Sequence, residues 1–298
     1  MPKTQNMKYL KSPGLFLAFG SALFYGFGDA GVRLTVGGVS VWGLVFLRGL
    51  IGLTLTSFLA GFFGKKLWGD KVRLLSLIGL SSFLASCLIF TAFSRIPLYQ
   101  ALAILYLYPI ISLGLAALIN REPISAGDGP KAILALVGCM MLVWPDEAAD
   151  LIFDLGHAAG LAGCLLYSLA IVLTRRLGSV NSGLEPMFHY SLYCVLLAPF
   201  LALLFGQELN LKPDLNAAQG LLAVSLSGLG QFLGFAALRW LPAHTVGTIG
   251  TLEVAIGALF SWLFFHDPIT ARALFGGSLI LGVALSIRTK TNEKNTGG

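Results

Sequence analysis

The sequence predicts an all-α integral membrane protein with ten transmembrane helices, arranged as two inverted five-helix repeats with both termini in the cytoplasm. Three observations lead to this prediction: an apolar composition, an internal repeat and an uneven distribution of basic residues. Of the 298 residues, 56% are hydrophobic and 11% are charged, and the mean hydropathy is +0.81. Soluble proteins hold roughly 25% charged residues, so the composition indicates a polytopic membrane protein without a soluble domain.

An internal repeat divides the chain into two halves. Residues 90–124 and 235–269, which are 145 positions apart, are identical at nine of 35 positions. Two matches carry most weight. The helix-breaking Pro97 matches Pro242, and the acid-Pro-Ile sequence that ends the first stretch, Glu122-Pro123-Ile124, matches Asp267-Pro268-Ile269. We therefore predict a first five-helix repeat at 1–147 and a second at 148–298. Because five is an odd number, we expect the second repeat to cross the membrane upside down.

Ten apolar runs separated by polar or helix-breaking residues define the predicted spans. Their lengths approach the about 20 residues that an α-helix needs to cross a bilayer. The spans are 14–32, 41–63, 73–94, 98–119, 130–144, 156–174, 184–205, 216–238, 243–265 and 269–287. The first span follows lysines as a signal peptide would, but residues 24–33 align with 166–175 at an offset of 142, which argues that this span is retained.

The basic residues predict the orientation. With the N-terminus placed in the cytoplasm, fifteen Lys and Arg fall in inner segments and four in outer segments, while Arg48 lies within a span. Cytoplasmic loops of membrane proteins carry such an excess, so both termini are predicted to be cytoplasmic. This orientation explains the net charge of +6 without a nucleic-acid partner. The expected location is the cell membrane, a bacterial inner or plasma membrane, with the lipid bilayer as surroundings.

Three charged residues lie within predicted spans, where an unpaired charge costs roughly 2.5–3.5 kcal/mol at the helix centre. Asp29 follows Tyr25 by one turn, so both can face the same side of the first helix and both are candidates for binding or coupling; Asp29 either holds a cation or proton or caps the helix near the outer surface. Arg48 either contacts substrate or reaches backbone carbonyls by snorkelling. Glu253 lies about midway along its span. It either binds substrate or couples transport to protons, or it forms a structural hydrogen bond to a neighbouring helix.

Aromatic and polar side chains in other spans are candidates for a pocket that holds a small organic solute. They are Tyr99, Tyr106 and Tyr108 in the fourth span, Tyr167 in the sixth, Gln231 in the eighth and His244 in the ninth. Tyr99 and Tyr106 are seven residues apart and so share one helix face. The alternative for part of this set is an architectural role, since tyrosine also collects at membrane interfaces.

Five residues are assigned structural roles: Pro97, Pro109, Pro242, Glu122 and Asp267. Pro109 interrupts the fourth span midway, and the carbonyl groups that it frees must line a cavity or contact protein. It follows that Tyr108, the residue before it, points to the interior of the bundle.

The sequence lacks the motifs of several classes of enzyme. The chain has no Gly-x4-Gly-Lys-Ser/Thr loop, no His-Glu-x-x-His and no Gly-x-Ser-x-Gly, so we expect neither ATP hydrolysis nor another enzymatic activity. No cofactor and no metal ligand set are expected. The four cysteines lie inside apolar runs, which disfavours a disulfide framework.

These features resemble the EamA-type members of the drug/metabolite transporter superfamily, over nearly the whole chain. The second half has the family's succession of motifs: Ala237-Leu238-Arg239, Pro242-Ala243, Leu252-Glu253, Asp267, and Gly276, Gly277 and Gly282. The first half has Phe90, Ala92, Pro97, Pro109, Glu122 and Gly138 at the corresponding places. Two positions depart from the family pattern. Val254 replaces a proline, which leaves open whether the ninth helix is kinked, and Asp267 replaces a glutamate.

The resemblance implies a secondary transporter, often an exporter, that moves a small metabolite by alternating access through a central cavity formed by spans 1, 3, 4, 6, 8 and 9. An amino acid or amino-acid-like metabolite is the expected substrate, because two acids, an arginine and tyrosines would complement a zwitterion. A proton or another ion is the candidate coupling partner. The alternatives are a lipid flippase or scramblase-like transporter and, next, a membrane-embedded lipid-modifying enzyme. Monomer and homodimer remain open.

Overall fold

The computed structural model describes residues 13–32, 40–96, 98–144, 153–178, 183–206, 208–209, 215–266 and 270–287. The described residues are mostly helical, and no strand occurs among them. The helices are α1 Pro13–Val32, α2 Val41–Phe63, α3 Val72–Arg95, α4 Leu98–Leu105, α5 Tyr108–Leu115, α6 Asp128–Val143, α7 Leu155–Arg176, α8 Leu184–Leu204, α9 Leu215–Ala237, α10 Ala243–Gly250, α11 Leu252–Phe265 and α12 Ala271–Leu285, with a π-helical segment at Ala116–Asn120 after α5.

Six of the described segments are long and apolar enough to cross a membrane: Trp42–Phe63, Val72–Phe93, Gln100–Asn120, Leu155–Arg176, Leu184–Leu204 and Ala243–Phe264. Pro13–Gly28 and Ala271–Leu285 are shorter apolar helices. The all-helical, membrane-embedded fold class therefore agrees with the prediction. The number of ten spans and the cytoplasmic placement of both termini stay predictions.

Polar residues at the ends of the apolar runs set several helix boundaries. Ser40 caps α2 through its side chain, and Gly64 ends the helix in the left-handed conformation with φ 61°. Asp154 and His157 form a capping box at the start of α7, in which the Asp154 N–H donates to His157 Nδ1 over 3.0 Å. The other ring nitrogen of His157 lies 3.0 Å from Gln100 Oε1, so this cap also ties α7 to α4.

Most helix contacts recur when the two halves are exchanged, although those of α5 with α10 and of α6 with α10 and α11 have no counterpart of similar extent. If α1–α6 are matched in order with α7–α12, then α1 packs against α9, α10 and α11 as α7 packs against α3, α4 and α5. The contact between α2 and α9 likewise corresponds to that between α8 and α3, while α2 with α8 and α6 with α12 are their own counterparts. Two copies of one unit related by a twofold rotation give this pattern. The repeat boundaries and the inversion of the second copy stay predictions.

Glycines bring α2 and α8 into close contact. A Cβ added at Gly49 would meet the side chain of Cys194, the carbonyl oxygen of Ser191 at 3.0 Å and the amide nitrogen of Val195 at 3.2 Å. Close backbone approach of this kind is a main source of helix association in membranes, where no hydrophobic effect drives helices together. Gly61, on the same helix, would have no neighbour within 4 Å of an added Cβ.

We predict that Gly49→Ala destabilises the protein by about 1–3 kcal/mol, because the added methyl group forces α2 away from α8. The loss would be measured as a lower midpoint of thermal unfolding in detergent. Gly61→Ala is the matched control and should leave the midpoint unchanged. Equal midpoints for the two variants would contradict the close packing described here.

Candidate substrate-binding site

The fourth predicted span is broken at its middle, and α7 provides hydrogen bonds to the break. α4 ends at Leu105 and α5 begins at Tyr108. Pro109 has no N–H group, so the Leu105 carbonyl loses its helical donor. The Cys164 thiol of α7 donates to this carbonyl over 3.3 Å, and the Ser168 hydroxyl, which donates to the Cys164 carbonyl over 2.8 Å, also lies 3.3 Å from the Tyr108 carbonyl. The backbone groups at the break are therefore bonded to protein, as the membrane interior requires.

The ninth predicted span is also broken, although Val254 replaces the family's proline. α10 ends at Gly250 and α11 begins at Leu252. Thr251, which lies between them, corresponds at the offset of 145 to Tyr106, which lies at the break between α4 and α5. The Thr251 hydroxyl donates to the Thr248 carbonyl over 2.7 Å. The ninth span is therefore divided at the equivalent position without a proline, while the Thr251 N–H keeps its helical bond to the Gly247 carbonyl over 3.2 Å.

The two broken helices contact each other at their breaks. The Tyr108 hydroxyl donates to the Gly247 carbonyl over 2.8 Å. A Cβ at Gly247 would lie 3.1 Å from Tyr108 Cε2 and 3.3 Å from Pro109 Cα, and a Cβ at Gly250 would collide with the Tyr108 hydroxyl. The contact between the two helices therefore depends on the absence of side chains at both glycines.

A narrow cavity lies beside this contact. Its lining comes from α1, α5, α7, α9, α10 and α11 and consists of Ser21, Tyr25, Tyr108, Tyr167, Ile171, Gln231, Gly234, Phe235, Leu238, Val246, Gly247, Gly250 and Glu253. The volume open to the centre of a water molecule is about 30 Å³. Since one water needs about 10–15 Å³ by this measure, the cavity has room for two or three waters, and a metabolite would require it to widen.

Five of the ten residues predicted as substrate-binding or coupling candidates line the cavity together: Tyr25, Tyr108, Tyr167, Gln231 and Glu253. The rings of Tyr108 and Tyr167 meet edge to face with centroids 5.3 Å apart. Glu253 brings a carboxyl group to a lining that is otherwise neutral. This combination of tyrosines, an amide and one acid can bind an organic solute that carries a positively charged group.

Arg48 lies behind two of the lining residues. Its Nη2 donates to Gln231 Oε1 over 3.0 Å and to the Tyr25 hydroxyl over 3.5 Å, and its guanidinium carbon lies 5.7 Å from the centre of the Tyr25 ring. Arg48 is thus connected to the cavity lining by its hydrogen bonds to Tyr25 of α1 and Gln231 of α9.

The other candidates lie elsewhere. The Tyr106 side chain is buried in the core and is absent from the cavity lining. His244 Nε2 lies 3.4 Å from Asp128 Oδ2 at the start of α6, away from the lining. The side chains of Asp29 and Tyr99 lie outside the described residues.

Of the residues assigned structural roles, three are described. Pro242 is the N-cap residue of α10, and Pro109 opens α5. Glu122 Oε1 accepts from Arg175 Nε over 3.3 Å, and Arg175 Nη1 also donates to the carbonyls of Leu238 and Arg239 over 2.9 and 3.1 Å. Pro97 and Asp267 lie outside the described part of the chain.

The structure also adds lining residues that the sequence reading did not select, among them Ser21, Gly234 and Gly247. The Gly230-x-x-x-Gly234 pattern predicted close helix packing, and it indeed brings α9 against Ser21 of α1, 3.0 Å from a Cβ added at Gly234. Of the spans expected to form the cavity, α3 contributes no lining residue among those described.

The described chain is thus an apolar helical bundle with two interrupted helices around a small, partly polar cavity, an architecture typical of polytopic membrane proteins. The sequence profile of the EamA-like transporter family matches residues 12–144 and again residues 154–289, and the chain belongs to this family. The resemblance noted in the sequence is thereby confirmed.

Further comparisons identify the fold but do not identify a substrate. A solved structure described only as "Crystal structure of protein" superposes with a TM-score of 0.80 at 16% sequence identity, over 91% of this chain and 94% of that chain. At this identity the likeness shows the fold alone. No curated protein matches the chain.

We predict that Tyr108→Phe lowers the free energy of unfolding by about 0.5–1.5 kcal/mol, because it removes the hydrogen bond to the Gly247 carbonyl. The carbonyl keeps its backbone donor, Thr251 N, at 3.2 Å, which limits the loss. Thermal unfolding in detergent measures it. Tyr193→Phe is the control, since no hydrogen bond joins the Tyr193 hydroxyl to the part of the chain described here. A larger loss in the control would contradict the assigned role of Tyr108.

Proposed function

We propose that the protein is a secondary transporter that exports a small metabolite, an amino acid or amino-acid-like compound, by alternating access through the central cavity. The observation that carries the proposal is the cavity where the two broken helices meet, in a chain of the EamA-like transporter family. The predicted location in the cell membrane with cytoplasmic termini, and the two inverted repeats at 1–147 and 148–298, belong to the same proposal.

The small volume of the cavity supports an occluded conformation. Space for two or three waters holds no metabolite, so binding requires the surrounding helices to move apart. The breaks at Tyr106 and Thr251 supply places for this motion, because side-chain bonds supplement the helical hydrogen bonding there: Cys164 donates to the Leu105 carbonyl and Tyr108 to the Gly247 carbonyl. Hinges of transporters and other closing proteins are such element ends.

The polarity of the cavity supports a substrate with a cationic group. Glu253 and the hydroxyl of Tyr108 belong to equivalent positions of the two broken helices, and both line the cavity. A carboxylate at this depth attracts an ammonium group or a proton. Glu253 is therefore our candidate both for substrate binding and for coupling to protons, with Tyr25, Tyr167 and Gln231 as further contacts.

We predict substrate-dependent flux in proteoliposomes that contain only this protein, measured as counterflow of labelled amino acids without ATP. Lipid scrambling is to be measured in the same vesicles with a fluorescent phospholipid. Solute flux without scrambling supports the proposal, whereas scrambling without solute flux assigns the protein to the lipid flippases. Absence of both across a broad metabolite panel contradicts a transport function.

We predict that Glu253→Gln abolishes or strongly changes the pH dependence of this transport, because it removes the carboxyl group that takes up protons in the cavity. The measurement is the initial rate of flux as a function of pH. Glu208→Gln, at an exposed position between α8 and α9, is the matched control and should keep the wild-type profile. An unaltered profile for Glu253→Gln would remove Glu253 from proton coupling.

A further inference from the structure

We propose that Arg48 binds the negatively charged group of the substrate, a single carboxylate, which replaces Gln231 and Tyr25 as the acceptor of its guanidinium hydrogen bonds. The inference rests on the proposed transport function. It deepens that proposal by naming the residue that binds the carboxylate and the two side chains that occupy the place of the carboxylate in the empty site.

The first observation is that Arg48 has no acidic partner among the residues that the structure describes. In the described residues Arg175 pairs with Glu122, and Asp128 lies 3.4 Å from His244. The acceptors of Arg48 are a neutral amide and a neutral hydroxyl, and its buried Nε has no hydrogen-bond partner among the residues described. A buried charge with unused donors is costly unless an anion pairs with it.

The second observation comes from the other half of the molecule. At the offset of 142 Arg48 corresponds to Tyr190, and at the offset of 145 Gln231 corresponds to Ser86. Tyr190 and Ser86 make the equivalent contact, with their hydroxyl oxygens 3.2 Å apart. The equivalent pair of helices, α3 and α8, is therefore joined by two neutral side chains. Since the architecture does not need a charge at this place, the arginine indicates a ligand.

The third observation is the route to Arg48. Gln231 and Tyr25 both line the cavity and both bond to Arg48, so an anion that enters the cavity approaches the guanidinium from their side. A carboxylate offers two oxygens to the parallel N–H groups of a guanidinium. One arginine neutralises one negative charge, which favours a carboxylate over a doubly charged phosphate.

The lining also holds the complementary charge. Glu253 belongs to the same cavity on α11, whereas Arg48 belongs to α2 behind α1 and α9. A zwitterion would place its carboxylate toward Arg48 and its ammonium toward Glu253, with the tyrosine rings around its side chain. The two ends of the substrate would then contact different halves of the protein.

The test that needs no ligand is Gln231→Glu, which supplies the missing carboxylate from the protein itself. We expect the midpoint of thermal unfolding to rise by at least about 2 °C, because the new carboxylate pairs with Arg48. Gln219→Glu is the matched control, since it makes the same change at an exposed position of α9, and it should not raise the midpoint. A midpoint that is unchanged or lower for Gln231→Glu would overturn the inference.

The test with ligands compares phenylalanine and 3-phenylpropionate with phenylalaninamide and 2-phenylethylamine, which lack the carboxylate. We expect the carboxylates to raise the unfolding midpoint of the wild-type protein. In Gln231→Glu their affinity should fall at least about tenfold. The double variant Arg48→Tyr with Gln231→Ser copies the neutral pair of the other half and should fold but not bind carboxylates.

The outcomes separate this inference from the transport function. Carboxylate binding that survives in the double variant, or equal binding of amides and carboxylates, overturns the role of Arg48 while transport stands. The same conclusion follows if no carboxylate binds to the wild-type protein although solute flux is observed. Absence of all flux overturns the proposed function, whereas a stabilising Gln231→Glu would still show that Arg48 lacks an anion.

Discussion

The site depends on one interaction, the hydrogen bond from the Tyr108 hydroxyl to the Gly247 carbonyl. It joins the two broken helices at their breaks, where Gly247 and Gly250 leave room for the tyrosine ring. Because the backbone at both breaks is bonded by side chains of neighbouring helices, the interruptions persist in surroundings that offer no water. The cavity lies beside this contact, so the positions of the two helix breaks determine the position of the cavity.

The sequence predicted one of the two breaks and not the other, for a physical reason. Pro109 removes a backbone donor, a local effect that its identity alone reveals. Thr251 and Val254 have ordinary N–H groups, and the break there depends on glycines that admit Tyr108 from a helix more than a hundred residues away in the chain. Tyr106 illustrates the same limit, because its side chain is buried in the core beside the break and not in the cavity lining. Tyr25, Tyr167 and Gln231 were accessible to sequence reasoning because each is a polar residue in an apolar run.

The two halves share their backbone arrangement but differ in the polar residues at equivalent places. Tyr108 corresponds to Glu253, Arg48 to Tyr190 and Gln231 to Ser86. The contact of Arg48 with Gln231 and that of Tyr190 with Ser86 join equivalent helices, so the packing tolerates this difference. A symmetric scaffold thus carries an asymmetric site, and a substrate with two unlike ends can be bound in one orientation.

The narrowness of the cavity has a consequence for the cell that contains this protein. A passage wide enough for a metabolite at all times would also conduct ions and protons and so discharge the gradients on which secondary transport depends. In the transport cycle proposed above, a cavity with space for only two or three waters between the broken helices would keep the membrane electrically tight while no cargo is bound. The energy stored across the bilayer would then be spent only when cargo separates the helices.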